Sequence, residues 1–212
     1  MHVLDARFLA AAPRQSALPP PAFAEVAFAG RSNVGKSSLI NALLERRRLV
    51  RTSSTPGCTR GLSLFRARLR PADGSEATLD LVDLPGYGFA RRSKAERRSW
   101  GPMVEGFLNE RVGLRAVVVI VDVRRGPEDD DRQLLEYLAH LGLEVIVVAT
   151  KLDKLSASKR KPALRRLAPA LGQRPVGFSA TSGEGRDVLW RRIARAASLG
   201  PAAPPASAHS DA

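Results

Sequence analysis

Residues 30 to 37 read Gly30-Arg31-Ser32-Asn33-Val34-Gly35-Lys36-Ser37, a complete G-x-x-x-x-G-K-[ST] run. This is the spacing of a loop that holds phosphate. Its two glycines let the backbone turn where a Cβ would clash, so successive N–H groups point inward at the phosphates of a nucleotide. Lys36 is placed to reach the terminal phosphates and is a candidate catalytic residue. The Ser37 hydroxyl is placed to ligate Mg2+. Residues 25–29 ahead of the loop read as a short strand and residues 38–44 behind it as a helix start. The helix N-terminus adds partial positive charge where the phosphates would sit.

Four more segments follow in an order that names the base. Asp83-Leu84-Pro85-Gly86 comes after an expected strand at 77–82. Asp83 can hold Mg2+ through water, and the Gly86 N–H can sense the terminal phosphate, which makes Gly86 a second catalytic candidate. Thr150-Lys151-Leu152-Asp153 comes after an expected strand at 144–149. A carboxylate at Asp153 accepts from the N1–H and N2–H2 edge of guanine, whereas adenine would leave it unpaired. This argues against an ATP-using phosphotransferase. Phe178-Ser179-Ala180 can offer a backbone N–H to guanine O6. Gly57-Cys58-Thr59-Arg60-Gly61 lies between the first helix and the strand at 62–69. Its Thr59 is the candidate second protein ligand to Mg2+ and a third catalytic candidate, on a loop that reads as a switch. Each short motif alone is weak. All of them in order, three directly after a strand and one directly before, point to a GTP/GDP site.

Three positions depart from a Ras-like set. Tyr87 stands where a Gln would orient the attacking water, so intrinsic hydrolysis is expected to be slow; Tyr87 reads equally as a packing residue. Asn33 has two readings: recruitment of K+ beside the phosphates, or a hydrogen bond within its own loop. Thr150 offers one hydroxyl where an Asn amide is usual, so the bridge from the base site to the phosphate loop is expected to be weakened.

The elements that must position these residues alternate along the chain. Strands are expected at 25–29, 62–69, 77–82, 115–121, 144–149 and 175–178, and helices at 37–46, 94–111, 129–141, 156–170 and 184–197. The runs at 116–121 and 144–149 are continuous and β-branched, as parallel strands buried on both faces require. The expected fold is α/β: a doubly wound, mostly parallel six-stranded sheet with helices on both faces, binding ligands beyond the carboxyl ends of its strands. Residues 1–24 read as an extended arm ending in Pro19-Pro20-Pro21, residues 25–198 as the folded domain, and residues 199–212 as a disordered Pro/Ala tail. With 212 residues, one core of Val, Leu, Ile and Ala is expected, because aromatics make up only 5%. A single cysteine, Cys58, excludes a disulfide framework and suits a reducing cytoplasm. No apolar run is long enough to span a membrane, and the N-terminus does not read as a signal peptide.

The formal net charge is +13, which points to a polyanionic partner. Arg46, Arg47, Arg48 and Arg51 close the first helix, and Arg91, Arg92, Lys94, Arg97 and Arg98 follow the Asp83 motif. Both clusters flank segments expected to move with nucleotide state, the arrangement of a GTP-gated RNA binder. A further run at Lys159, Arg160, Lys161, Arg165 and Arg166, and another at Arg191, Arg192 and Arg195, could equally be solvated faces.

The chain resembles the EngB-type GTP-binding proteins of the TRAFAC class. The residues that carry the resemblance are 25–41, 53–60, 83–90 (Asp-Leu-Pro-Gly-Tyr-Gly-Phe-Ala), 150–154 and 178–180. It covers about residues 8 to 197; Cys58, the polyproline arm and the tail depart from it. The resemblance implies a bacterial GTPase needed for septation and cell division through assembly of the large ribosomal subunit. It also implies ribosomal RNA or a large-subunit precursor as partner. A monomer in the cytoplasm is expected. A protein acting at the division site, with hydrolysis incidental, is the alternative.

Overall fold

The computed structural model describes residues 1–50, 61–71, 73–87 and 94–199. Its seven strands are β1 (His2–Ala12), β2 (Glu25–Gly30), β3 (Leu62–Arg70), β4 (Ala77–Asp83), β5 (Leu114–Asp122), β6 (Glu144–Thr150) and β7 (Val176–Gly177). They form one sheet in the order β1-β3-β4-β2-β5-β6-β7. The helices are α1 (Lys36–Leu43), α2 (Lys94–Glu110), α3 (Asp129–His140), α4 (Ala157–Leu171) and α5 (Arg186–Ala196).

β2, β4, β5, β6 and β7 pair in parallel, and β1 and β3 add antiparallel pairs at one side. Every residue of β2 is buried, as a central strand covered on both faces requires. Leu39, Ile40 and Leu43 of α1 and Leu189, Trp190 and Ile193 of α5 cover one face. The Trp190 indole N–H also donates to the Leu43 carbonyl at 3.1 Å. Phe107 of α2, Leu138 of α3 and Leu167 of α4 lie on the other face. The carboxyl ends of the parallel strands therefore meet at one edge of the sheet. Gly30, Asp83, Asp122 and Thr150 stand there.

The structure differs from the sequence expectation at the N-terminus. Residues 2–12 are extended, but they are a seventh strand, paired with β3 from His2↔Arg70 to Ala12↔Leu62. Register shifts at Val3/Asp5 and Phe8/Ala10 break the two-residue alternation that would have announced a strand. Nor is the proline run a loose arm. Arg111 donates to the Pro19 carbonyl at 2.8 Å and forms a two-bond pair with Glu25 at 2.6 and 2.7 Å. α1 ends at Leu43, sooner than expected. The Asn41 amide clamps both the N–H and the carbonyl of Val50, at 2.8 and 2.7 Å, and turns the chain back. Residues 200–212 lie outside the described residues.

Glu25 and Arg111 are both buried, so removing one strands the other's charge. Arg111→Ala should lower the unfolding free energy by about 3–5 kcal/mol. The apolar double replacement Glu25→Leu/Arg111→Met should recover most of it. Urea denaturation measures both; an Arg111→Ala variant as stable as the parent would refute the pairing.

Candidate nucleotide-binding site

The phosphate loop joins β2 to α1. Gly35 caps α1 at φ +99°, a conformation that favours glycine, and Asn33 sits at φ +66°. Asn is among the few other residues that adopt this conformation readily, so the backbone alone accounts for its presence. Its side-chain amide makes no hydrogen bond among the described residues, so the own-loop reading is not what the structure holds. Lys36 reaches the end of β4 and pairs with Asp83, and both are buried. Burial pushes the Asp83 carboxyl up, and the Lys36 ammonium pulls it part of the way back. Ser37, the second residue of α1, is half-buried beside them.

The segment after β4 lies against the phosphate loop. The Leu84 N–H donates to the Phe28 carbonyl at 3.0 Å, and the Ser32 N–H to the Tyr87 carbonyl at 2.9 Å. A Cβ on Gly86 would meet the Ser32 hydroxyl at 3.0 Å, so only glycine allows this approach without displacing Ser32. Tyr87 is buried, and its hydroxyl donates to Asp131 at 2.7 Å. The packing reading of Tyr87 fits this placement. Arg31 forms an ion pair with Glu128, the residue that precedes α3. Asp131 also accepts from the Glu128 N–H at 2.9 Å.

The base side is built from the ends of β6 and β7. The Thr150 hydroxyl lies 2.5 Å from the Val34 carbonyl and 3.1 Å from the Val121 carbonyl. One hydroxyl has one proton, so two acceptors share a single donor. The bridge to the phosphate loop is present, with half the donors an amide would bring. Lys151, at φ +61°, sends its ammonium to the Asn33 carbonyl at 2.6 Å. Asp153 is half-buried and accepts from the Ser179 hydroxyl at 2.9 Å, which fixes its carboxylate. Ala180 is exposed beside it. Val34, Leu84, Pro85, Leu152 and Phe178 are buried, and the site meets their backbone.

The structure thus brings together Gly30 to Ser37, Asp83 to Gly86, Thr150 to Asp153 and Ser179-Ala180. Gly57, Cys58, Thr59 and Arg60 lie outside the described residues, as do Arg51, Arg91 and Arg92; the side chains of Lys94, Arg97 and Arg98 do too. Gly61 begins the approach to β3, where a Cβ would fall 2.5 Å from the Ala12 carbonyl.

Sequence reasoning missed three carboxylates. Asp122 pairs with Lys151 at 3.1 Å and with Arg124 at 2.7 and 3.0 Å. Burial would raise the Asp122 carboxyl, but these donors hold it well below the usual carboxylate range. Glu128 and Asp131 fasten the phosphate loop and the segment after β4 to α3. The signal for Asp122 was a lone acid ending an apolar strand, in register with Thr150.

Asp122→Asn should loosen Lys151 and weaken GDP binding roughly fivefold, about 1 kcal/mol; fluorescence titration giving the parental affinity would refute the role. Burial raises the Asp131 carboxyl from 3.8 to about 6, partly offset by the Tyr87 hydroxyl. Its contribution to folding stability is fullest below pH 3.8 and is lost as pH rises through about 6. Carboxyl-detected NMR should show this midpoint, and Tyr87→Phe should move it upward. A midpoint near 4 would contradict the burial argument.

A family model described as "50S ribosome-binding GTPase" matches residues 25–151. A protein of Geobacter metallireducens named "Probable GTP-binding protein EngB" is 47% identical over 91% of this chain and 92% of its own. One of the same name from Anaeromyxobacter sp. strain K is 44% identical over 97% and 99%. Among solved structures, one titled as a probable GTP-binding protein engB superposes with a TM-score of 0.63. It shares 25% identity over 84% of this chain and all of its own. The G domain of the Thermotoga maritima FeoB iron transporter matches at 0.53 and 25%, over 82% and 99%. A family model over more than half the chain, and close relatives spanning nearly all of it, agree with the phosphate-loop and base-side geometry: the chain belongs to the EngB family of GTP-binding proteins.

Proposed function

We propose that the protein binds Mg2+ with GTP or GDP, hydrolyses GTP slowly, and cycles on a precursor of the large ribosomal subunit as a cytoplasmic monomer. Septation and cell division would depend on it through that assembly step. The observation that carries the nucleotide part is the phosphate loop flanked on one side by the buried pairing of its Lys36 with Asp83 and on the other by a carboxylate, Asp153, oriented by Ser179. The family model's description and the resemblance support the ribosomal part.

The residues present fit the metal. Ser37 and Asp83 are oxygen donors of the kind Mg2+ prefers, and Asp83 is a buried carboxylate that needs a cation beside it. Ser37 would hold the ion directly, Asp83 through water, and Thr59 as the second protein ligand. When bound, Mg2+ neutralises charge on the terminal phosphates. Lys36 would turn its three donors from Asp83 to those phosphates, with the loop N–H groups around them. The Gly86 N–H would meet the terminal phosphate. Asp153 would accept from the guanine edge, and the Ala180 N–H would donate to O6. Tyr87 cannot replace a water-positioning Gln while its hydroxyl serves Asp131, which fits slow turnover.

Asp153→Asn should exchange guanine for xanthine preference, because the amide donates where the carboxylate accepted. GTP binding should weaken by about 3 kcal/mol. Isothermal titration with GTP and XTP tests this, and parental GTP affinity in the variant would overturn the base-reading assignment. K+ beside the phosphates at Asn33, which is exposed at the phosphate loop, is a separate proposal: K+ in place of Na+ should speed hydrolysis, and Asn33→Ala should abolish the difference. Equal rates in both salts would remove K+ alone. Cosedimentation with large-subunit particles in GTP against GDP tests the ribosomal part.

A further inference from the structure

We propose that the solvent face of α4 is a docking surface for base-paired RNA, engaged in either nucleotide state. This rests on the reading of RNA as partner above and says where the RNA is held. From Lys154 to Gly183, both included, the chain carries seven Lys or Arg and no Asp or Glu, more than half of its net +13. α4 buries Ala163, Leu167 and Leu171 and leaves Lys159, Lys161, Arg165 and Arg166 exposed. Among the described residues none of these four makes an ion pair. Arg160, by contrast, is committed to Glu184 at 2.7 Å and the Leu155 carbonyl at 3.1 Å. The loop from β5 to α3 extends the same surface. A Cβ on Gly126 would lie 3.1 Å from the Leu167 side chain, so exposed Arg125 stands close to α4.

Uncompensated cations fixed on one helix repel one another, and a polyanion relieves that repulsion. The chemistry of the face selects among polyanions. A helix that lies in a membrane surface presents apolar residues to it. Besides its cations α4 exposes Ala157, Ser158, Pro162, Pro169 and Ala170, while Leu167 and Leu171 face the core. A site for single strands offers aromatic rings to stack bases, and α4 has none. What remains is a row of point charges from 159 to 166, spanning about 10 Å of helix, suited to the backbone of a paired helix. α4 follows the base-reading Asp153 and not the segments that would meet the terminal phosphate, so the contact should not depend on which nucleotide is bound.

The test sets two triple variants of equal charge against each other. Lys161→Ala/Arg165→Ala/Arg166→Ala removes the α4 face, and Arg191→Ala/Arg192→Ala/Arg195→Ala removes three cations from α5, across the sheet. Each is titrated by filter binding against a base-paired domain of large-subunit ribosomal RNA over a KCl series. GDP and a non-hydrolysable GTP analogue are run in parallel, and phosphatidylserine vesicles serve as a second probe. The α4 variant should lower the log–log salt slope by roughly 0.9 per lost contact, roughly 2.7 in all, equally in both nucleotides. The α5 variant should lower it by less than one contact, and both should keep parental GDP affinity. Equal losses in the two variants would reduce the effect to net charge and overturn the proposal. Parental binding by the α4 variant would make this a solvated face while leaving RNA as partner. A parent that binds vesicles and not RNA, or neither, would overturn the partner reading itself.

Discussion

Two opposite charges buried against each other, Lys36 and Asp83, set the terms for the whole site. An ammonium or a carboxylate taken out of water alone carries a penalty of several kcal/mol, and each is tolerable here because the other is present. Neither can leave its partner unless something of like sign takes the vacated place. For Lys36 that is a phosphate to turn to; for Asp83 it is a cation to replace the ammonium. The sheet makes the pairing possible: Phe28 of β2 stands in register with Asp83 of β4, which puts the strand ends side by side. The phosphate loop is therefore fastened to the strand that leads to Gly86 by the same bond that a nucleotide would have to replace.

α3 is the second anchor. Glu128 holds Arg31 and Asp131 holds Tyr87, so both loops on the phosphate side are tied to one helix N-terminus. On the base side Asp122 and the Asn33 carbonyl hold Lys151 from two directions. The loops that would contact nucleotide are thus fixed by polar contacts to rigid elements.

Most of this was legible in the sequence because it rests on local rules. The β-branched runs gave β5 and β6 nearly to the residue, and the glycine spacing gave the loop between β2 and α1. What escaped depends on contacts far apart in the chain. Asp122 lay one residue beyond the expected strand, and nothing local says that it faces Lys151. The partnership of Tyr87 with Asp131 spans 44 positions, and that of Glu25 with Arg111 spans 86. β1 was read as an arm because its two bulges hide the alternation, and its partner lies beyond α1.

That partnership also bears on how the chain is made. β1 leaves the ribosome ahead of β3 and cannot pair until β3 follows, at least fifty residues later, so that segment waits while a large loop closes. In the finished fold β1 covers the outer edge of β3, a nine-residue strand. β1 then forms the sheet's edge itself, but its two register shifts blunt it, whereas β3 pairs with β4 without a shift and its bare edge would be the better template for another chain. A molecule that lacks residues 2–12, or pairs them late, would keep every residue of the phosphate and base sites, yet would offer its neighbours the regular edge of β3. Its failure would take the form of self-association, with nucleotide recognition intact.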